Sequence, residues 1–127
     1  MLLFLNATYE NHLPPGLIES ICYVESGYNI QAIHRHDGKG NSVGVCQIKL
    51  NSARLVGFKG TEKELMRPEN NVHFAARYLS HQLRRYHGCK ARAVIAYNQG
   101  SAKHLTSTSY SRKVFSRLQQ NYLARRN

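Results

Sequence analysis

Apolar residues recur at intervals of three and four positions over several stretches of the chain, which is the spacing of a helix that buries one face. The first regular stretch follows Pro14 and Pro15, which suit the start of a helix, and it ends at Gly27, a typical residue just beyond a helix. The same spacing predicts further helices over residues 52–56, 61–66, 68–86 and 90–97. Thr61 and Glu64 have the spacing of a capping box, which supports the helix over 61–66.

Residues 33–48 follow a different pattern. Their middle part has the turn-forming sequence Asp-Gly-Lys-Gly-Asn, and Val43, Val45 and Gln47 after it alternate with small residues. This pattern predicts a short antiparallel β-hairpin or meander. Together with the helices it indicates the α+β class, with mainly α structure.

The length and the charge of the chain narrow the kind of protein. A length of 127 residues suits one domain, residues 1–127, which begins with a predicted N-terminal arm over 1–12. The formal net charge of +11 is concentrated, because residues 1–63 carry six basic and five acidic side chains while residues 64–127 carry twelve and two. The electrostatic field of this positive charge attracts polyanions, which include nucleic acid, anionic lipid headgroups and a phosphate-bearing cell wall.

The last predicted helix, over residues 107–127, carries part of this charge. Ser107 or Ser109 is expected to cap it. Its apolar positions are Val114, Phe115, Leu118 and Tyr122, and its basic positions are Arg112, Lys113, Arg117, Arg125 and Arg126. We expect the apolar positions to face the core and the basic ones to form a solvated surface.

Several classes of protein and site are disfavoured by what the chain lacks. The chain contains no run of about twenty apolar residues, so no membrane span is predicted. Its apolar N-terminal stretch is too short for a signal peptide and lacks the basic residues of one. The three cysteines, Cys22, Cys46 and Cys89, include no C-x-x-C pair, so we predict buried thiols rather than a disulfide framework or a zinc site. Their spacing does not determine whether any two of them pair. His34 and His36 have no third ligand at suitable spacing, so neither metal nor cofactor is predicted.

Glu25 has an unusual position for a carboxylate. It lies on the last turn of the first predicted helix, on the same stripe as Ile18, Ile21 and Cys22. Apolar neighbours and the negative end of the helix dipole both disfavour the ionised form. We therefore expect a raised pKa, which suits an acid that also acts as a base.

Three short motifs in order carry a resemblance to a known family. They are Glu25-Ser26-Gly27, then Gly-Val-Cys-Gln-Ile over 44–48, then Ala-Tyr-Asn-Gln-Gly over 96–100. A helical segment from Asn71-Val72 to Tyr78-Leu79 comes before the last motif. Over residues 13–100 the chain resembles the lytic transglycosylases of the goose-type lysozyme superfamily, which carry E-S-G, G-L-M-Q, N-I-x-x-G-x-x-Y-L and A-Y-N-x-G. Val-Cys replaces Leu-Met, Ala75 replaces a glycine, and the histidine-bearing turn is not part of the family pattern.

The resemblance implies a lysozyme-like fold with a small antiparallel β-hairpin beside the helix of Glu25. It also implies cleavage of the β-1,4 bond between N-acetylmuramic acid and N-acetylglucosamine in peptidoglycan glycan strands, with a 1,6-anhydromuramoyl product and no cofactor. Glu25 would protonate the leaving oxygen and then accept the proton of the 6-hydroxyl. By the same match Ser26 and Gln47 would line the cleft, Tyr97 would hold the Glu25 carboxyl, and Asn98 would bind a sugar.

Other functions remain open at this point. Asp37 lies twelve residues after Glu25 and could serve as the second acid of a hydrolytic muramidase, although aspartate is also common in Asp-Gly turns. A basic module that binds nucleic acid or membrane would use the charge, but no recognisable nucleic-acid motif is present. A degenerate lysozyme fold kept as a structural part is a further alternative.

The predicted partners and location follow from the same reading. We expect a monomer that acts at the bacterial cell wall or periplasm, held to the anionic envelope by its basic C-terminal half. Because no clear signal peptide is visible, we expect a phage endolysin, a virion-associated enzyme or a protein exported by a specialised route.

Overall fold

The computed structural model describes residues 2–36 and 38–126, and this part of the chain contains seven α-helices and three short strands. The helices are α1 (Leu2–Glu10), α2 (Leu17–Ser26), α3 (Leu50–Leu55), α4 (Glu62–Leu65), α5 (Pro68–Arg85), α6 (Lys90–Gln99) and α7 (Ser109–Arg126). The strands are β1 (Ile33–Arg35), β2 (Asn41–Val43) and β3 (Ile48–Lys49). The predicted α+β class with mainly α structure is confirmed.

Helix α5 lies at the centre of the fold. It contacts α1, α2, α3, α4, α6 and β3, and its buried face carries Val72, Ala75, Ala76 and Leu79. Helices α2 and α6 pack beside it through fully buried residues that include Ile18, Ile21 and Val94. The sheet and α2 therefore rest on one continuous core, which places the end of α2 beside the sheet.

The N-terminal residues form a helix, so the predicted arm over 1–12 is wrong. Helix α1 packs on α5 and buries Ala7, while Leu2, Leu5 and Tyr9 stay exposed. Its apolar residues have no clear one-sided pattern along the sequence. The helix is stabilised by its contact with α5, which lies some sixty residues further along the chain, and no local pattern reveals such a contact.

The small sheet is an antiparallel meander, as predicted. Ile33 pairs with Val43 and His34 with Ser42 between β1 and β2, and Ser42 pairs with Lys49 between β2 and β3. The alternation over 43–47 predicts strand, but residues 44–47 form a tight turn. Within this turn the N–H of Gln47 donates to the Gly44 carbonyl at 3.1 Å.

A buried asparagine holds this turn against α5. The side-chain amide of Asn71 donates to the carbonyls of Val43 and Leu65, each at 2.9 Å, and its oxygen accepts from the Cys46 N–H at 2.8 Å. Gly44 has a φ of 79° and lies so close to Asn71 that a Cβ there would meet the amide nitrogen at 2.2 Å. The turn therefore requires glycine both for its backbone conformation and for this close approach.

A disulfide joins α2 to the same turn, and the prediction of buried thiols is therefore wrong. Cys22 and Cys46 are bonded across 24 residues of sequence, while Cys89 is free and exposed. Cys46 is the residue that stands where the resembling family has methionine. The pairing was not derivable from the spacing, because only the packing of α2 against the turn brings the two Cα atoms within 4.1 Å.

Helix α7 differs from its prediction at both ends. Thr108, rather than Ser107 or Ser109, caps it, since its hydroxyl accepts from the Ser111 N–H and the Ser111 hydroxyl accepts from the Thr108 N–H. Val114 is buried as expected, but the side chain of Tyr122 is 63% exposed. The basic face is only partly solvated, because the Arg117 guanidinium lies over the Tyr23 ring while Arg112 and Lys113 are exposed.

No helix in the described part of the chain has both the length and the apolar character needed to cross a membrane.

Candidate active site

A cleft of about 250 Å³ lies between the sheet and the ends of α2 and α6. Its wall on the side of the sheet consists of His34, His36, Ser42, Ile48 and Lys49. The remaining lining residues come from the turn and the helices, and they are Glu25, Gln47, Ser52, Tyr78, Tyr97, Asn98, Gln99 and Gly100. Among these described residues Glu25 is the only acidic one.

Glu25 lies on the last turn of α2, where the helix ends because Gly27 adopts a φ of 63° and donates its N–H to the Tyr23 carbonyl at 2.7 Å. Burial raises the pKa of Glu25 from 4.5 to about 7, and the donor side chains of Tyr110 and Asn98 act in the opposite direction. The predicted rise in pKa is confirmed, and burial accounts for it. At neutral pH the carboxyl therefore exists in both protonation states, as an acid–base group requires.

Ser26 does not line the cleft, contrary to expectation. Its hydroxyl donates to the Val45 carbonyl at 2.6 Å and accepts from the Asn29 N–H at 3.1 Å. The side chain is thus fully engaged with the backbone and ties the end of α2 to the 44–47 turn. Its contribution to the site is the position of Glu25, the residue before it.

Gln47 lies in the cleft wall, as expected, and has a φ of 52°. Its side-chain amide nitrogen donates to the carbonyls of Ala32 and Gly44, each at 2.9 Å. These two bonds commit both amide hydrogens to the backbone. The amide oxygen is then the atom that this side chain can offer to a ligand, as a hydrogen-bond acceptor.

Tyr97 and Asn98 occupy the end of α6 beside Glu25. The expected bond from Tyr97 to the Glu25 carboxyl is not formed, because the hydroxyl donates to the Cys46 carbonyl at 2.7 Å. A buried phenol needs an acceptor, and the 44–47 turn presents one to it. Asn98 lines the cleft, and its amide lowers the pKa of the Glu25 carboxyl. Its expected role in sugar binding stays a prediction.

Tyr110 was missed by sequence reasoning and is the second neighbour of Glu25. It lies in the first turn of α7, and its buried hydroxyl has no protein partner in hydrogen-bond geometry within the described residues. Burial and the nearby Glu25 carboxyl both raise its pKa above the usual value of 10. The only sequence signal is its spacing of four from the buried Val114, which indicates an inward position without saying what it faces.

Two other sequence-based candidates have different outcomes. Asp37 lies outside the described residues, so its proposed role as a second acid is not tested. His34 and His36 both line the cleft, with ring centroids 4.6 Å apart. Within the residues that the structure describes, no group of three or more His, Cys, Asp or Glu side chains could hold a metal ion.

The family model of the transglycosylase SLT domain matches residues 3–119 of this chain. The chain belongs to the transglycosylase SLT domain family. The resemblance recognised in the sequence is thereby confirmed at the level of the family, and the match extends beyond the motifs to include α1 and the start of α7.

Individual relatives agree with this assignment over parts of the chain. Endo-type membrane-bound lytic murein transglycosylase A from Salmonella paratyphi B and from Salmonella typhimurium is 37% identical, over 52% of this chain and 34% of the relative. The lytic transglycosylase Slt from Pseudomonas aeruginosa superposes with a TM-score of 0.67 at 22% identity, over 78% of this chain and 16% of that one. The chain therefore spans about a third of the curated relatives and shares its fold with one segment of Slt.

Proposed function

We propose that this chain cleaves the β-1,4 bond between N-acetylmuramic acid and N-acetylglucosamine in peptidoglycan by lytic transglycosylation. The observation that carries the proposal is Glu25, the single carboxyl among the described lining residues of the cleft, with a pKa of about 7. Membership of the transglycosylase SLT domain family supports the same reaction. The similar Salmonella proteins are lytic murein transglycosylases by name.

The reaction needs one protein carboxyl used twice. In the first step the protonated Glu25 gives its proton to the glycosidic oxygen as the bond from that oxygen to C1 of muramic acid breaks. The acetamido oxygen of the same sugar stabilises the cationic C1. In the second step the 6-hydroxyl bonds to C1 and returns its proton to Glu25, so a 1,6-anhydro ring forms and no water is consumed.

The neighbours of Glu25 suit these two steps. The Asn98 amide and the Tyr110 hydroxyl are donors near Glu25 that lower its pKa and can bond to the carboxylate formed in the first step. Burial favours the return of the proton in the second step. The Gln47 amide oxygen is available to accept a hydrogen bond from a sugar hydroxyl or acetamido N–H. Tyr97 and Ser26 hold the 44–47 turn and the end of α2, and so act as positioning residues.

The experiment uses purified peptidoglycan and Glu25→Gln. We expect the parent protein to release muropeptides with anhydro ends and the variant to lose at least 100-fold in rate, because general acid–base catalysis contributes roughly that much or more. Glu69→Gln, an exposed glutamate of α5, is the matched control and should keep full activity. Equal rates for Glu25→Gln and the parent protein would remove the proposal.

The alternative hydrolytic muramidase gives a different product. Hydrolysis adds water and leaves a reducing end, whereas transglycosylation leaves an anhydro end that is lighter by one water. Mass spectrometry of the released muropeptides separates the two outcomes. The family and the named activity of the relatives favour the anhydro product, and a role for Asp37 would instead require a product that carries the added water.

We also propose that the basic second half of the chain holds the enzyme on the anionic envelope. Arg112 and Lys113 are exposed on α7 and are the clearest contributors. The double variant Arg112→Gln/Lys113→Gln should bind sacculi more weakly at low salt, and the difference should vanish near 1 M salt, where screening acts over about 3 Å. Arg54→Gln/Lys59→Gln removes two exposed charges from the first half and serves as the control. Equal retention of both double variants would contradict the proposal.

The cell wall or periplasm is the location that this function requires. The Cys22–Cys46 disulfide supports it, because such bonds persist in oxidising compartments and are rare in the cytosol. The expected phage or specialised export route and the expected monomeric state stay predictions.

A further inference from the structure

One face of the small sheet carries the basic side chains of the cleft in a row. The strand register places His34 directly opposite Ser42, and Ser42 directly opposite Lys49, so these three side chains share one face. His36 comes directly after β1, and its hydrogen bond to Ser42 and its ring contact with His34 place it on the same side. All four residues line the cleft that contains Glu25.

The histidines are held in place by local contacts. A hydrogen bond of 2.9 Å joins the His36 ring nitrogen Nε2 to the Ser42 hydroxyl. The His34 ring lies 4.6 Å from the His36 ring, tilted by 44°. Both rings are thus arranged side by side on the wall of the cleft, and each neutral imidazole has one N–H donor. In His36 this donor is Nδ1–H when Nε2 accepts from the Ser42 hydroxyl.

The positive charge on this wall has no carboxylate to balance it among the described lining residues. Glu25 is the only acidic one of them, and it is largely uncharged below pH 7. Burial lowers the pKa of His36 below 6.5, and Lys49, His34 and Lys39 act in the same direction. Glu62 is not among the lining residues, and its carboxylate accepts a hydrogen bond at 3.3 Å from the side chain of Asn41 at the start of β2.

We propose that His34, His36 and Lys49 form a subsite for the carboxylate that the muramic acid residues of the glycan carry. This inference rests on the proposed function and names the part of the substrate that the cleft selects. N-acetylmuramic acid differs from N-acetylglucosamine by its lactyl ether, which ends in a carboxyl group. An ammonium and two imidazole N–H donors on one surface bind a carboxylate more strongly than a neutral hydroxyl, because charge-assisted hydrogen bonds are the stronger ones. The subsite therefore favours strands that contain muramic acid over an uncharged polymer of N-acetylglucosamine.

The carboxylate has two possible sources in the polymer. In peptide-free strands the lactyl carboxyl itself is free, whereas in native strands it forms an amide with the stem peptide, whose own carboxylates then carry the charge. The test uses both kinds of strand. A portion of each is treated with a carbodiimide and ammonia, which converts its carboxylates to neutral amides and leaves the glycan backbone intact.

The measured quantity is kcat/KM for release of anhydro ends. For the parent protein we expect amidation to lower kcat/KM about five- to tenfold on the strand whose carboxylate the subsite binds. A loss of this size is typical when one partly solvated, charge-assisted hydrogen bond is removed. In Lys49→Gln the untreated strand should react about as slowly as the amidated one, and amidation should have little further effect. Loss of the amidation effect, rather than a general loss of rate, is the readout specific to a charge contact.

Two further variants control this measurement. His34→Gln changes an exposed side chain and should reduce the amidation effect without affecting the fold. Lys59→Gln removes an exposed charge away from the cleft and should keep the full effect. An equal amidation effect in the parent protein, Lys49→Gln and His34→Gln would overturn the subsite, as would the absence of any effect in the parent protein. A parent protein that releases no anhydro ends from any strand would instead overturn the proposed function on which the subsite rests.

Discussion

Replacement of Glu25 by glutamine should stabilise the folded protein at high pH. Burial raises the pKa of this carboxyl from 4.5 to about 7, so its ionisation costs more free energy in the folded state than in the unfolded state. One pKa unit corresponds to about 1.4 kcal/mol, and the difference between 4.5 and about 7 therefore corresponds to roughly 3 kcal/mol. Partial contact of Glu25 with the open cleft reduces this figure, and we expect about 1–3 kcal/mol.

The direction of the pH dependence follows from proton binding. Between about pH 4.5 and pH 7 the folded state keeps a proton on Glu25 that the unfolded state has already released. The free energy of unfolding therefore falls as the pH rises through this window, and the whole penalty is present above about pH 7. Glutamine cannot ionise and escapes the penalty. Glu25→Gln should match the parent protein at pH 4 and exceed it in stability at pH 8.

Thermal unfolding followed by circular dichroism measures this difference. For a chain of this size 1 kcal/mol shifts Tm by roughly 3–5 °C, so the variant should melt several degrees above the parent protein at pH 8. Glu69→Gln, on an exposed turn of α5, should show no comparable gain at pH 8. A Tm difference for Glu25→Gln that is the same at pH 4 and pH 8, or a variant that melts below the parent protein at pH 8, would refute the argument from burial.

Three further outcomes are expected. Tyr110→Phe removes a donor that lowers the Glu25 pKa, so the alkaline limb of the pH–rate profile should move to higher pH by less than about one pH unit; an unchanged limb would contradict the contact. Asn71→Ala removes the side chain that bonds three backbone groups and should cost about 3 kcal/mol or more in urea unfolding, so a loss below about 1 kcal/mol would contradict its role. Cys22→Ser/Cys46→Ser should cost about 3 kcal/mol through the 24-residue loop, whereas Cys89→Ser should be neutral; equal effects would exclude the disulfide.

The parts of the structure that sequence reasoning predicted well are those with local causes. The capping box of Thr61 and Glu64 forms as predicted, and Gly27 ends α2 in the left-handed conformation expected of it. The raised pKa of Glu25 belongs to the same group, because the apolar stripe that surrounds it was visible in the spacing of α2. Each of these features depends on residues within a few positions of one another.

The errors concern partners that lie far apart in the chain. Tyr97 was expected to hold Glu25, but its hydroxyl binds a carbonyl 51 residues away, in a turn that had been read as strand. Tyr110 was not considered, since nothing near it in sequence indicates a carboxyl 85 positions earlier. Ser26 shares a motif with Glu25, yet its hydroxyl is directed to Val45 by the fold.

The sequence by itself determined helices α2 to α7, the antiparallel meander and the position of the one carboxyl on which the proposed chemistry depends. These features follow from periodicity, capping and turn chemistry, which act over one or two turns of chain. The tertiary structure alone decided the hydrogen-bond partners of the site, the Cys22–Cys46 bond and the placement of His34 and Lys49 on one wall of the cleft. The reason is physical: buried polar groups bind whatever partner the packing brings within reach, and that packing is a property of the whole core rather than of any local segment.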